Sequence, residues 1–270
     1  MRLVKEFTQF ILYLFRSKAL LFVLIKNNFK KQYLGSYLGL ASAYIQPFMF
    51  MLVIWTVFEF GFRTGPTATQ VPFALWLLAG MVPWFFISDT ISSGVDAVVG
   101  NAFLVRKVAF RVSILPLVSI GTSFLVHQGL VLFLIIALLL NGYWPTMYWL
   151  QLPFFMILAI MLSIGLTWLT SAIRVFVNDV TSVIGVLMQI GFWATPIFWP
   201  IDLVHEKYHY LIKLNPAYYI IDGYRDSFIG NTWFWEKPSW TIYYLGGTSL
   251  LLIIGALAFK RLRPHFADVL

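Results

Sequence analysis

Charged and apolar positions segregate along this chain, and the lengths of the apolar stretches set its elements. Residues 34–58, 64–88, 112–173, 180–201 and 238–259 contain no Asp, Glu, Lys or Arg. A helix rises about 1.5 Å per residue, so about 20 apolar residues cross the hydrocarbon core of a bilayer and each tract suffices for one crossing. The third tract, from 112 to 173, is 62 residues long and must turn back once. Asn141-Gly142-Tyr143-Trp144-Pro145 carries the residues for that turn. The pattern predicts six transmembrane helices, at about 34–60, 71–93, 112–140, 146–173, 180–200 and 239–260, in one all-α integral membrane domain over 34–260.

The flanking segments read differently. Residues 1–33 alternate apolar runs too short to span, Phe10 to Phe15 and Ala19 to Ile25, with basic clusters at Arg16 and Lys18 and at Lys26, Lys30 and Lys31. This is the pattern of an amphipathic helix lying in the cytoplasmic interface; a solvated basic arm is the other reading, and it leaves the apolar runs exposed. Glu6 follows Lys5 and no small-residue cleavage site follows Phe15, so no cleaved signal is expected. Residues 201–238 form a long outer insert with Tyr208, Tyr210, Tyr218, Tyr219, Tyr224, Trp233 and Trp235, rings with polar tips that favour the headgroup level. Apolar residues between them, such as Ile212, Ile220, Ile221 and Phe228, predict short re-entrant helices that dip into the outer leaflet, a path tolerated only where protein covers the backbone. Residues 261–270 are a short tail.

Charge then orients the chain. Six spans put both termini on one side. The segments on that side (1–33, 94–111, Arg174 and the chain after Phe259) hold 14 basic residues against 5 on the other, at Arg63, Lys207, Lys213, Arg225 and Lys237. Basic loops stay inside, so both termini are expected in the cytoplasm. Only 11% of residues are charged, 60% are hydrophobic and mean hydropathy is +0.81, which sets aside a soluble fold. The net charge of +8, which in a soluble chain would suggest nucleic acid, here belongs to membrane orientation, and no nucleic-acid partner is expected.

Candidate chemistry is sparse. Without cysteine there is no disulfide, thiolate metal site or cysteine nucleophile. His205-Glu206-Lys207-Tyr208-His209 fits the H-E-x-x-H zinc pattern, which needs both His on one helix face, a third ligand and a cavity. Asp222, Asp226 and Glu236 downstream sit in no third-ligand motif, so a membrane zinc protease is a remote alternative and no metal site is expected. Asp89, His127, Glu59 and Gln189 are polar groups within or at the ends of spans; interhelical hydrogen bonding is favoured over a proton relay because they are scattered over different helices. No G-x-x-x-x-G-K-[ST] phosphate loop occurs, so transport powered by ATP would need its ATPase on another polypeptide. The segment 94–107 is a short cytoplasmic amphipathic stretch suited to docking on a partner, or a charged turn set by topology alone. Tyr33, Tyr37, Tyr44, Phe48 and Trp55, spaced 4, 7, 4 and 7 apart, share one helical face, which suits either stacking on sugar rings or plain packing.

Several stretches in order carry a resemblance. Lys30-Lys31-Gln32-Tyr33-Leu34-Gly35-Ser36-Tyr37-Leu38-Gly39 leads into the first span; Asn101, Leu104, Lys107, Phe110, Leu115 and Pro116 follow the second; Asp179 and Pro196-Ile197 flank the fifth; Asn215-Pro216 and Tyr224-Arg225 lie in the outer insert. Together they resemble the permease subunit of ABC-2 type polysaccharide exporters, which handle O-antigen, capsule and teichoic acid chains. Arg111 stands where that family often has Pro, and Asn178 where Arg is common before the Asp.

The resemblance implies a transport subunit that is not itself an enzyme, located in the cytoplasmic (inner) membrane. It acts as a homodimer bound to two copies of a separate ABC ATPase. ATP and Mg belong to that partner, and this chain needs no cofactor. The cargo is a lipid-linked polysaccharide of the undecaprenyl pyrophosphate type. Residues 94–107 would include the coupling helix, with Val98, Asn101, Leu104, Arg106 and Lys107 facing the ATPase. Lys26, Lys30 and Lys31 would attract the pyrophosphate at the cytoplasmic gate. Tyr33, Tyr37, Tyr44, Phe48, Trp55, Phe58 and Glu59 would border the sugar path. A permease for a small lipid or drug is the nearer alternative, and a proton-driven carrier using Asp89 or His127 a further one.

Overall fold

The computed structural model describes residues 17–34, 39–61, 71–106 and 110–270, and these are helical without strands. Tyr37, Arg63, Lys107 and the arm before residue 17 lie outside the described residues. Helix α1 covers Lys18–Phe29 and continues in a π-helical turn, Lys30–Leu34. Helix α2 covers Ser42–Thr56, preceded by a 3-10 turn at Gly39–Ala41 and followed by a π-helical turn at Val57–Gly61. Gly39 has φ +53°, a conformation that glycine alone adopts freely, and it separates the two helical registers. The first span therefore starts at Ala41, not at 34 as its charge-free tract suggested.

The remaining helices are α3 (Phe73–Val95), α4 (Ala102–Val105), α5 (Leu115–Leu140), α6 (Leu152–Arg174), α7 (Val180–Ala194), α8 (His209–Lys213), α9 (Pro216–Arg225), α10 (Pro238–Leu262) and α11 (Phe266–Val269). Among the described residues, five segments are long and apolar enough to cross a membrane: Ala41–Gly61, Phe73–Val95, Val112–Leu140, Met147–Arg174 and Pro238–Val269. The predicted helix at 180–200 is shorter than expected. Thr195 is extended because it precedes Pro196, whose ring disfavours the helical region for the residue before it. The 15 residues of α7 rise about 22 Å against a core of about 30 Å.

Helix α3 lies at the centre, its window two-thirds buried, packed by α5, α6, α7 and α9. The broadest helix pair is α6 with α10. Gly165 and Gly255 make it possible: a Cβ on Gly255 would lie 2.0 Å from the Gly165 carbonyl oxygen, and one on Gly165 would lie 2.7 Å from the Leu252 nitrogen. Small residues let membrane helices meet backbone to backbone, which maximises dispersion contact where no hydrophobic force separates protein from lipid. Helix α1 packs on α5, with Ile25 over Gly121 and Asn28 Nδ2 donating to Thr122 Oγ1 at 3.0 Å. Leu20, Phe22 and Val23 of α1 stay exposed.

The outer insert, expected to hold short helices covered by protein, packs into the bundle through one of them. Helix α9 packs against α3, α6 and α10, with Ile220, Ile221 and Tyr224 essentially inaccessible. Its Gly223 sits where a Cβ would lie 2.0 Å from the Phe155 ring of α6. The Asn215 side chain accepts from Ala217 N and caps the helix, and Pro216 stands at its first position, where its missing N–H is not needed.

Candidate functional site

On the face predicted to be cytoplasmic, the chain leaving α3 is held close to the bundle. A Cβ on Gly94 would lie 2.2 Å from the Thr167 methyl of α6, so this close approach depends on glycine. Val98 is fully buried and joins Val105, Trp168, Ala172, Val175, Phe259 and Phe266 in a second apolar core beneath the segment. Asn101 turns back on its own segment, donating to the Ala97 carbonyl at 2.9 Å. Leu104 is half-buried against the same core, and exposed Arg106 donates to the Leu270 carbonyl at the end of the tail. Of the residues predicted to face a partner, Val98 points inward, while Arg106 lies on the surface. The large apolar side chain that faces out is Phe103, 63% exposed, which the sequence pattern did not distinguish.

Beside this segment lies a polar node. Arg174 Nε donates to Asp96 Oδ1 at 2.9 Å and to Thr181 Oγ1 at 2.8 Å, and Arg174 Nη1 donates to Asn178 Oδ1 at 2.6 Å. Thr181 Oγ1 also donates to Asp96 Oδ1, at 3.2 Å. The node gathers the chain after α3, the end of α6 and the first turn of α7.

Lys26, Lys30 and Lys31 are all exposed along α1 and its π-helical extension. Tyr33, half-buried, is within electrostatic reach of Asp89 and Tyr44. The shared helical face of the aromatic residues is interrupted at Gly39, so a continuous helix carries only Tyr44, Phe48 and Trp55. These rings are half-buried against the rest of the chain. Tyr44 lies over Gly129, Phe48 meets Phe133 edge-on at 4.5 Å, Trp55 meets Phe60 at 5.8 Å, and Phe58 contacts Phe73 at 5.6 Å and Phe198 at 5.3 Å. Glu59 is exposed.

Asp89 pairs with the Ser123 hydroxyl, and His127 Nε2 lies 2.8 Å from the Tyr224 hydroxyl. Each partner belongs to a different neighbour, which matches hydrogen bonding between elements. The zinc pattern does not form a site. His205 has extended backbone ahead of a 3-10 turn and accepts from Lys207 N, while His209 Nε2 is 2.8 Å from the Val204 carbonyl. The two imidazoles therefore share no helix face, and no group of three His, Asp or Glu converges among the described residues.

At the opposite end, Arg225 of α9 is buried and donates to the carbonyls of Pro196 at 2.7 Å, Ile197 at 2.5 Å and Trp76 at 3.4 Å. Its guanidinium stacks 3.5 Å over the Trp76 ring, in space that Gly80 leaves free. Burial lowers its pKa to about 9, so it remains charged at neutral pH. Lys237 Nζ donates to Asp226 at 2.6 Å and Asp222 at 3.1 Å. Burial, reinforced by the neighbouring Asp222, pushes Asp226 up to about 6 despite Lys237. A pocket of about 240 Å³ opens here, walled by Tyr218, Tyr219, Trp240 and Tyr244 with Asp222 and Lys237.

A family model described as ABC-2 type transporter matches residues 19–229. The chain is 25% identical to the O-antigen export system permease protein RfbA of Klebsiella pneumoniae over 93% of its own length and 95% of that protein's. It is 26% identical to the protein of the same name from Myxococcus xanthus, over 99% and 98% of the two chains. The polysialic acid transport protein KpsM of Escherichia coli is 23% identical over 84% of this chain and 87% of that protein.

Proposed function

Because the chain belongs to the ABC-2 type transporter membrane family, we propose that it is the permease subunit of an ATP-driven exporter that carries lipid-linked polysaccharide outward across the cytoplasmic membrane. The observation that carries this reading is the likeness, over nearly the whole of both chains, to permeases named for O-antigen export. Polysialic acid is the cargo named for a further relative, so glycans are common to both kinds of relative.

The chain has no phosphate-binding loop, so ATP with its Mg binds a separate ATPase, two copies serving two permease copies. The segment 96–106 is the docking element: its apolar floor fixes it to α6 and the tail, and Phe103 and Arg106 project for the partner. Helix α7 together with the 195–199 turn completes a sixth crossing, with α9 as a re-entrant helix filling the outer half. The 14 to 5 split of basic residues keeps both termini inside. Lys26, Lys30 and Lys31, exposed on an interfacial α1, attract the anionic pyrophosphate of the lipid anchor; each basic group near a membrane surface contributes about 1 kcal/mol. Exposed apolar residues on α2 (Ile45, Met49, Leu52, Val53) and α7 (Val183, Val186, Leu187, Ile190) face lipid or the second protomer, and Tyr44, Phe48, Trp55 and Phe58 edge the path.

Deletion of the gene tests the reading. The expected result is loss of surface glycan with lipid-linked glycan accumulating in the cytoplasmic leaflet, restored by the intact gene. Unchanged surface glycan would favour a permease for a small lipid or drug.

A further inference from the structure

Helix α7 is held at its two ends and by little between them. Only Ile184 and Phe192 of its 15 residues are buried, while Val183, Val186, Leu187, Ile190 and Trp193 are exposed. At its first turn, Thr181 is tied to Asp96 and Arg174. Just past its last turn, the carbonyls of Pro196 and Ile197 are tied to buried Arg225. A helix whose polar ties within its own chain lie at its two ends, with its other face turned to lipid or the second protomer, tilts as a rod, because its backbone hydrogen bonds keep it stiff.

The first-turn tie runs to the segment after α3. Asp96 lies one residue beyond Val95, and the apolar floor made by Val98, Val105, Trp168 and Ala172 makes that segment one body with the end of α6. Arg174 sits where the body meets the rod. Its single Nε–H is shared between Asp96 and Thr181 while Nη1 donates to Asn178, so one rigid guanidinium plane joins all three. Neither Asp96 nor Arg174 is deeply buried, with side-chain exposures of 47% and 18%, so as a plain surface ion pair it adds little stability. Its geometry suits transmission better than stabilisation.

We propose that Arg174 is a positioning residue that transmits displacement of the 96–106 segment to α7, with Asp96 and Thr181 as its two anchor points and Arg225 as the outer pivot. The proposal rests on the reading of 96–106 as the ATPase docking element. Nucleotide-driven movement of the partner shifts that segment, Arg174 draws the first turn of α7 with it, and the helix tilts about the carbonyls held by Arg225.

The test uses the permease co-purified with its ATPase and reconstituted in vesicles, reading lipid-linked glycan translocated per ATP hydrolysed. For Arg174→Gln and Thr181→Val, both outside the docking element, the complex assembles and hydrolyses ATP, but translocation per ATP falls about tenfold, and the double variant falls no further than either single one. Equal ratios in variant and parent, or single effects that multiply, overturn the proposal. The absence of native cysteine allows a second arm that does not depend on the ion pair. The Asp96→Cys/Thr181→Cys protein replaces the tie with a disulfide: translocation is low when reduced and recovers on oxidation. Loss of translocation on oxidation would mean that the two elements must separate, and would overturn the proposal. Failure of the docking reading is seen separately, as retention of the ATPase by a Phe103→Glu variant.

Discussion

Arg225 joins the outer insert to the bundle through backbone acceptors at Trp76, Pro196 and Ile197. Hydrogen bonds to a charged group contribute about 1.5–3 kcal/mol each, and their loss leaves buried carbonyls unpaired. Arg225→Gln is expected to destabilise the purified protein by about 3 kcal/mol or more, read as a lower thermal midpoint in detergent. Asp226 carries a pH dependence. Its pKa in the fold, about 6, lies above the ordinary 3.8, so the fold holds the proton more tightly than the unfolded chain does. This group's contribution is most favourable at low pH and falls as pH rises between these two values. Asp226→Asn removes that fall, so the stability of the parent relative to the variant is expected to decline from pH 4 to pH 7 in paired thermal melts. The sequence disclosed Arg225 as one of five outside basic residues and as part of the Tyr224-Arg225 pair that carries the resemblance, without its acceptors. Its partners are main-chain oxygens 28 to 149 positions away, and backbone acceptors leave no mark on composition.

At the scale of elements, apolar tracts predict where helices occur better than where they stop. The tract at 34–58 reads as uninterrupted, yet Gly39 divides it, since a positive φ is a property of one residue that hydropathy does not register. The helix beginning at 180 stops before Pro196, although the apolar run continues to 201. The α6–α10 pair depends on Gly165 and Gly255. Gly255→Leu is expected to separate the helices and abolish stable accumulation of the protein, whereas Gly246→Ala on the same helix, where a Cβ meets nothing, leaves it unchanged; immunoblots of membranes distinguish the two. The segment after α3 was legible as a short stretch between two spans, but the side of it that faces outward was not. Val98 and Phe103 are both apolar, and only packing against Trp168 and Phe266 makes one of them floor and leaves the other exposed. Phe103→Glu is expected to abolish co-purification of the ATPase while the permease still accumulates in the membrane, checked by pull-down from solubilised membranes.

At the scale of the molecule, the membrane class, the order of helices and the family were legible because bilayer thickness sets element length and charge is excluded from the core. The integration of residues 201–238 was less so, since aromatic residues that suit the headgroup level suit a helix-lined core equally well, and Tyr219 stacked on Tyr244 at 4.5 Å lies in the latter. On the proposed reading, the permease works with a second polypeptide that hydrolyses ATP. The measurement that tests this most directly is purification of the tagged chain from its native membrane, with the co-purifying proteins counted and ATP hydrolysis assayed with and without lipid-linked glycan. The account predicts an ATPase subunit at one copy per permease, hydrolysing ATP faster when the glycan is present. A chain that purifies alone, without ATPase activity, would contradict it.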